Sequence, residues 1–292
     1  MDDILALLAI GAASSKDVDM AAELCDYSAE VLDPDSENEW LYGRGGYLYL
    51  LRLVKASFVD DEKTTKLLND TAADVVDAIL DSPRPWKWHG KAYVGAVHGA
   101  FGIITQLIMT DAHYAKEVEA DLAAWLSYQF ESGNWPSSIP PGKDRLVQVC
   151  HGAPGVINCL ESIKEHFPKL KDRIDKAISK GRECVWERGL LTKESCLCHG
   201  KIFRVRRNVF HSRLTIRPRT GISGNALALE DEQCAHFLSY TTGHEMKSLE
   251  KDGMMERSED PEALWCGEAG RAWAWAVMDK GLPKRLLGFN DI

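Results

Sequence analysis

Apolar residues fall into two kinds of stretch that alternate along the chain. In 63–80, 115–130 and 170–185 they recur every three or four positions with charged residues between them. That is the pattern of a helix with one wet face. The other kind is more uniformly apolar and follows glycine. Gly43-x-x-Gly46, Gly99-x-x-Gly102, Gly152-x-x-Gly155, Gly221-x-x-Gly224 and Gly267-x-x-Gly270 each open such a run. A single Gly-x-x-Gly carries little information, but five that each open a helical run read as a repeat. Glycine there permits close backbone approach and positive φ just ahead of each helix. Strand patterning is nearly absent. The alternation predicts an all-α chain with an inner ring of glycine-led helices wrapped by an outer ring of amphipathic ones. That architecture is an α/α toroid, and a solenoid of helix pairs is its competitor.

The interval from Gly152 to Gly221 is the longest of the series, and Gly200 already stands where the next repeat is due. Without 201–221 the chain would read Cys198-His199-Gly200-Ile222-Ser223-Gly224, restoring the form seen at Cys150. The segment 201–220 holds six arginines, one lysine and no acid, whereas the whole chain carries a net charge of −9. It therefore reads as an insertion, with the inner helix resuming at Ile222. Gly200-Lys201 and Thr220-Gly221 can be encoded with splice-like borders, so the insertion resembles a retained intron. A genuine basic surface loop is the alternative.

Charge and composition narrow the classes. Hydrophobic content of 45% with 27% charged residues belongs to a water-soluble globular chain, and the acidic balance gives no support to nucleic-acid binding. The first apolar run, 4–13, is too short to span a bilayer and follows Met-Asp-Asp, so a secretory signal is not expected. Eight cysteines without such a signal point to the reducing cytoplasm, where metal binding is favoured over a disulfide framework.

Two of those cysteines share a phrase. Cys150-His151-Gly152 and Cys198-His199-Gly200 each begin an apolar stretch. Their thiols and imidazoles can converge on one metal, and soft thiolates with imidazole suit Zn²⁺. Cys196 and Cys266 read as core or loop thiols.

At these residues the sequence resembles the lanthionine synthetase C-like family, eukaryotic branch. The matching phrases run from Glu39-Trp40-Leu41-Tyr42-Gly43 through Tyr93 to Gly102, Leu146 to Val156, and Leu197 to Gly200 interrupted before Ile222, and close at Leu264 to Gly270. The family has seven glycine-led repeats. Five are seen here, so the resemblance implies a single domain over 1–292 that is truncated at its amino end. It implies one Zn²⁺ held by Cys150, Cys198 and His199. A fourth position is left open for a substrate thiol, the mark of a catalytic zinc. It places His98 as the acid/base group and Glu39 where bacterial members carry an acid. Lys193 stands where eukaryotic members hold a glutathione carboxylate. His151 is an alternative ligand or a supporting hydrogen-bonding group. The arginine that bacterial cyclases carry before the first zinc cysteine is Leu146 here, with Arg145 beside it, a departure that weighs against true cyclase activity.

Two functional readings follow. One is enzymatic: a thiol, of glutathione or a cysteine-containing peptide, adds to a dehydroamino acid in a peptide or protein. The other is a non-catalytic zinc- and glutathione-binding sensor or scaffold, with a membrane surface as the alternative to a purely cytoplasmic location. A glycoside hydrolase on the same toroid needs two acids facing one cavity, and the glycine-led starts supply no obvious pair.

Overall fold

The computed structural model describes residues 3–190, 197, 222–252, 263–265 and 267–292. In chain order these form α1 (Asp3–Ser15), α2 (Val18–Asp26), α3 (Ser28–Val31), α4 (Arg44–Ser57) and α5 (Glu62–Asp81). Then come β1 (Ala92–Tyr93), α6 (Ala100–Thr110), α7 (Ala115–Leu126), β2 (Ser138–Ile139), α8 (Ala153–Ile163) and α9 (Lys171–Arg188). The chain continues with α10 (Ile222–Ala226), α11 (Asp231–Ser239), α12 (Gly243–Lys251) and α13 (Glu268–Lys280).

The expected two layers are present. The inner helices α1, α4, α6, α8, α10 and α13 pack each against the next, and α2, α5, α7, α9 and α11 lie behind them. The outer helices match the amphipathic stretches. In α5 the residues Leu68, Ala72, Val75, Val76 and Ile79 are buried while the charged positions face water. Asp61 starts that helix by accepting hydrogen bonds from the amides of Lys63 and Thr64, at 3.1 Å each. The inner helices are buried nearly all round, as in α6 from Ala100 to Ile108. α10 begins at Ile222.

The reason for the repeated glycine is close packing of backbone on backbone. A Cβ on the second glycine of four motifs would lie 1.8 Å from Ala96 O (Gly102), 1.9 Å from Val149 O (Gly155), 1.8 Å from Leu197 O (Gly224) and 2.2 Å from Leu264 O (Gly270). No side chain fits there. Among the described glycine starts the expectation of positive φ holds only at Gly152, with φ 125°. Gly43, Gly99 and Gly267 are extended with negative φ. The turn into these helices needs room for a carbonyl, not a left-handed residue.

Two features escaped the sequence pattern. α1 is an inner helix without a Gly-x-x-Gly start. Leu5, Leu8, Ala9 and Ala12 pack inward, while Ile4, Leu7 and Ile10 form an exposed apolar stripe. The segment after α13 crosses back over the inner layer. Phe289 O accepts from Gln106 Nε2 on α6 at 3.0 Å, and Asn290 Nδ2 donates to Ser162 Oγ on α8 at 2.7 Å. Leu286 and Phe289 are fully buried. No helix among the described residues is long and apolar enough to cross a membrane.

Candidate functional site

The site lies where the segments leading into α4, α6 and α8 meet. Each segment precedes a glycine-led helix, so its backbone is pressed against the helix start and its side chains are held in place.

Glu39 is supplied by the segment before α4. Its side chain is 1% exposed. The carboxylate accepts from the amide of Leu41 at 2.9 Å and from that of Tyr42. A buried carboxylate is tolerable when it is satisfied in this way. Its third partner comes from a different repeat. His98, one residue before Gly99, brings Nδ1 to 2.6 Å from Glu39 Oε2. A carboxylate oxygen can only accept, so Nδ1 carries the proton and Nε2 is the ring nitrogen left for other chemistry. The His98 side chain is 12% exposed.

Aromatic rings surround the imidazole. Trp88 lies flat on it, with ring centres 3.8 Å apart and planes 2° from parallel. Tyr42 lies alongside with a parallel ring 6.3 Å away, and Tyr93 meets the imidazole edgewise at 6.1 Å. His151 is 6.0 Å from His98 and 5.5 Å from Tyr93, ring centre to ring centre.

Cys150 is 1% exposed, with Sγ 3.8 Å from Gln148 Oε1. Its carbonyl abuts Gly95, where a Cβ would lie 2.3 Å from it, so the repeats carrying Cys150 and His98 are in direct backbone contact. The loop bearing Cys150 is held from beneath. Asn134 accepts from the Ala153 amide at 2.8 Å and donates to Leu146 O at 2.8 Å and Asp144 Oδ1 at 2.7 Å. Asp144 forms a two-point pair with Arg188, at 2.8 and 3.0 Å. Burial alone would raise the Asp144 carboxyl. The hydrogen bonds from Arg188, Asn134 and Ser132 outweigh it and hold the group down at about 2. Asn225 on α10 ties the same loop to the next repeat, donating to Val147 O at 3.0 Å and Gly189 O at 2.7 Å.

The expected site residues thus divide. Glu39, His98, Cys150 and His151 come together from three repeats. Arg145 is exposed and lines a cleft of 410 Å³ with Trp135, Ser137, Lys143 and Leu146. Lys193, Cys198 and His199 lie outside the described residues, as do the segment 201–221, Cys196 and Cys266. Among the described residues no three His, Cys, Asp or Glu side chains are placed to hold a metal. One observation bears on the fit of the donor set. A Cβ on Gly224 would lie 1.8 Å from Leu197 O and 2.8 Å from Val149 Cγ2. The residues just before Cys150 and just before Cys198 therefore meet at one point.

Trp88, Asn134, Asp144 and Arg188 were not singled out from the sequence. Gly90 two residues after Trp88 is a turn signal that marks a tight hairpin. The others act through partners far away in the chain and carry no local signature. The other described cysteines, Cys25, Cys159, Cys184 and Cys234, lie in the core. Cys159, Cys184 and Cys234 are buried, which pushes their thiols up to about 12, 11 and 11. Cys25, Cys159, Cys184 and Cys234 form no disulfide.

The profile of the family described as lanthionine synthetase C-like protein matches residues 3–202. Over 182 residues the chain is 32% identical to a Danio rerio protein named glutathione S-transferase LANCL1, an alignment covering 56% of this chain and 44% of that one. Over 163 residues it is 32% identical to the Arabidopsis thaliana LanC-like protein GCL1, covering 52% of this chain and 37% of that one. The matched region thus spans less than half the length of either relative.

Proposed function

The chain belongs to the lanthionine synthetase C-like family, and from that premise we propose that its site joins a thiol to a dehydroamino acid. The thiol is that of glutathione or of a cysteine-containing peptide. The acceptor is a dehydroalanine or dehydrobutyrine within a peptide or protein. The observation that carries this reading is the Glu39–His98 hydrogen bond of 2.6 Å beside the Cys150 motif. The printed name of the zebrafish relative, a glutathione S-transferase, supports the choice of thiol.

In this reading Cys150, Cys198 and His199 would hold one Zn²⁺, which when bound would supply Lewis acidity that favours the substrate thiolate near neutral pH. Attack by sulfur on the β-carbon forms the C–S bond, and the C=C electron pair moves to the α-carbon and its carbonyl. The bare Nε2 of His98 takes up the proton that the thiol loses and delivers it to the α-carbon, while Glu39 holds Nδ1 and so fixes the ring's orientation. The rings of Tyr42, Trp88 and Tyr93 narrow the approach and exclude water from part of it. His151, beside His98 and Tyr93, is placed to contact the substrate. Lys193 is the proposed partner of a glutathione carboxylate.

The test is incubation of the zinc-loaded protein with glutathione and a dehydroalanine-containing peptide, read by mass spectrometry. Addition of one glutathione to the peptide is the expected result. Binding of glutathione without any adduct would instead establish the non-catalytic sensor or scaffold.

A further inference from the structure

We propose that Trp88 is the positioning residue for His98, holding the imidazole by its face so that Nδ1 stays on Glu39 and only the Nε2 edge is offered to substrate. The inference rests on the reading of His98 as the proton donor in thiol addition.

The hydrogen bond from Nδ1 to Glu39 fixes one atom of the ring. It leaves the ring free to swing about that atom, which would carry Nε2 through an arc. A flat contact over the ring plane removes that freedom. Trp88 provides it, at 3.8 Å between centres and 2° between planes. One in-plane hydrogen bond and one face contact together define where Nε2 lies.

Trp88 is itself held rigidly. Its amide donates to Lys91 O at 2.9 Å and its carbonyl accepts from the Lys91 amide at 3.0 Å. Between them His89 and Gly90 both have positive φ, 47° and 75°. Two successive left-handed residues closed by reciprocal hydrogen bonds make a tight hairpin turn whose twist matches its flanking strands. The turn continues into β1, which pairs with β2 through Ala92–Ile139 and Tyr93–Ser138. The Trp88 ring is braced edgewise by His89 at 4.4 Å and Tyr93 at 5.5 Å.

A packing role does not account for this arrangement. Lys87, His89, Gly90 and Lys91 are exposed, and Trp88 is only half-buried and stands outside the hydrophobic core. A large indole at the end of an exposed hairpin, laid flat on the imidazole, serves the imidazole. By contrast Trp86, two residues earlier, is buried and donates to Ile79 O at 3.1 Å. The same short stretch thus carries one tryptophan for the core and one for the site.

The test uses the full chain loaded with zinc and two variants, Trp88→Leu and Trp88→Phe. Side-chain ¹⁵N NMR of His98 should show a single Nδ1–H tautomer in the wild type and in Trp88→Phe, and a mixture in Trp88→Leu. In the glutathione and dehydroalanine-peptide assay, kcat should fall about 10- to 100-fold in Trp88→Leu, the scale of an ångström-level misplacement. KM for glutathione should not change, and Trp88→Phe should recover most of the rate. A Trp88→Leu variant with one tautomer and wild-type kcat overturns the proposal. So does an equal loss in both variants accompanied by a lower melting temperature, which would make Trp88 structural. If the wild type forms no adduct, the thiol-addition reading fails, and the tautomer measurement alone decides whether Trp88 holds the ring.

Discussion

At the scale of single residues, the site depends on charges that are satisfied before any substrate arrives. Glu39 is buried yet accepts two backbone amides and one imidazole. Replacing His98 with Asn keeps a donor near Glu39 but removes the transferable proton. Adduct formation should slow by roughly 10²–10⁴-fold, with zinc content and melting temperature preserved, as checked by elemental analysis and calorimetry. Wild-type turnover in that variant would remove His98 from the chemistry. Asp144 supports a pH prediction. Its folded-state carboxyl is depressed to about 2, below an unfolded value of about 4. Its contribution is therefore complete above pH ~4 and is lost as pH falls from ~4 through about 2. Asp144→Asn should melt below the wild type at pH 7, and the two curves should converge near pH 2. Parallel curves at every pH would mean that the ionised form contributes nothing.

At the scale of elements, the repeat works because glycine lets a preceding carbonyl rest on the first turn of each inner helix. Gly155 shows this most directly for the site, since a Cβ there would fall 1.9 Å from Val149 O, one residue before Cys150. Backbone cannot move aside as a flexible side chain can. Gly155→Ala should cost about 1–3 kcal/mol, the range for overpacking, and should loosen zinc as the Cys150 loop shifts. Urea unfolding paired with zinc titration checks both effects, and an unchanged midpoint would show that the turn can relax. The outer helices followed from periodicity because each has one wet face. α1 was missed as an inner helix because it lacks the glycine start, although its apolar run was visible.

At the scale of the whole molecule, the segment after α13 links parts of the ring that are distant in sequence. Phe289 is fully buried, packs edgewise on Trp40 at 5.2 Å and accepts from Gln106 on α6. Phe289→Ala should cost about 3–5 kcal/mol, the usual range for a buried phenylalanine. The loss should appear in a single cooperative transition, because its neighbours belong to several repeats. A separate early transition would show that this segment docks independently of the ring.

Local pattern determined what local forces control. The glycine starts at Gly43, Gly99, Gly152 and Gly267 and the outer helices were readable, because each depends on residues within a turn or two. Resemblance to a family singled out His98 and Glu39, whose roles here are proposals. Only the tertiary structure decided that these two residues, 59 positions apart, share a hydrogen bond. It alone laid Trp88 on His98 and tied Asp144 to Arg188. Such contacts are set by how the repeats stack, and stacking is fixed by the close backbone approach at the glycines, which no spacing along the chain expresses as a distance.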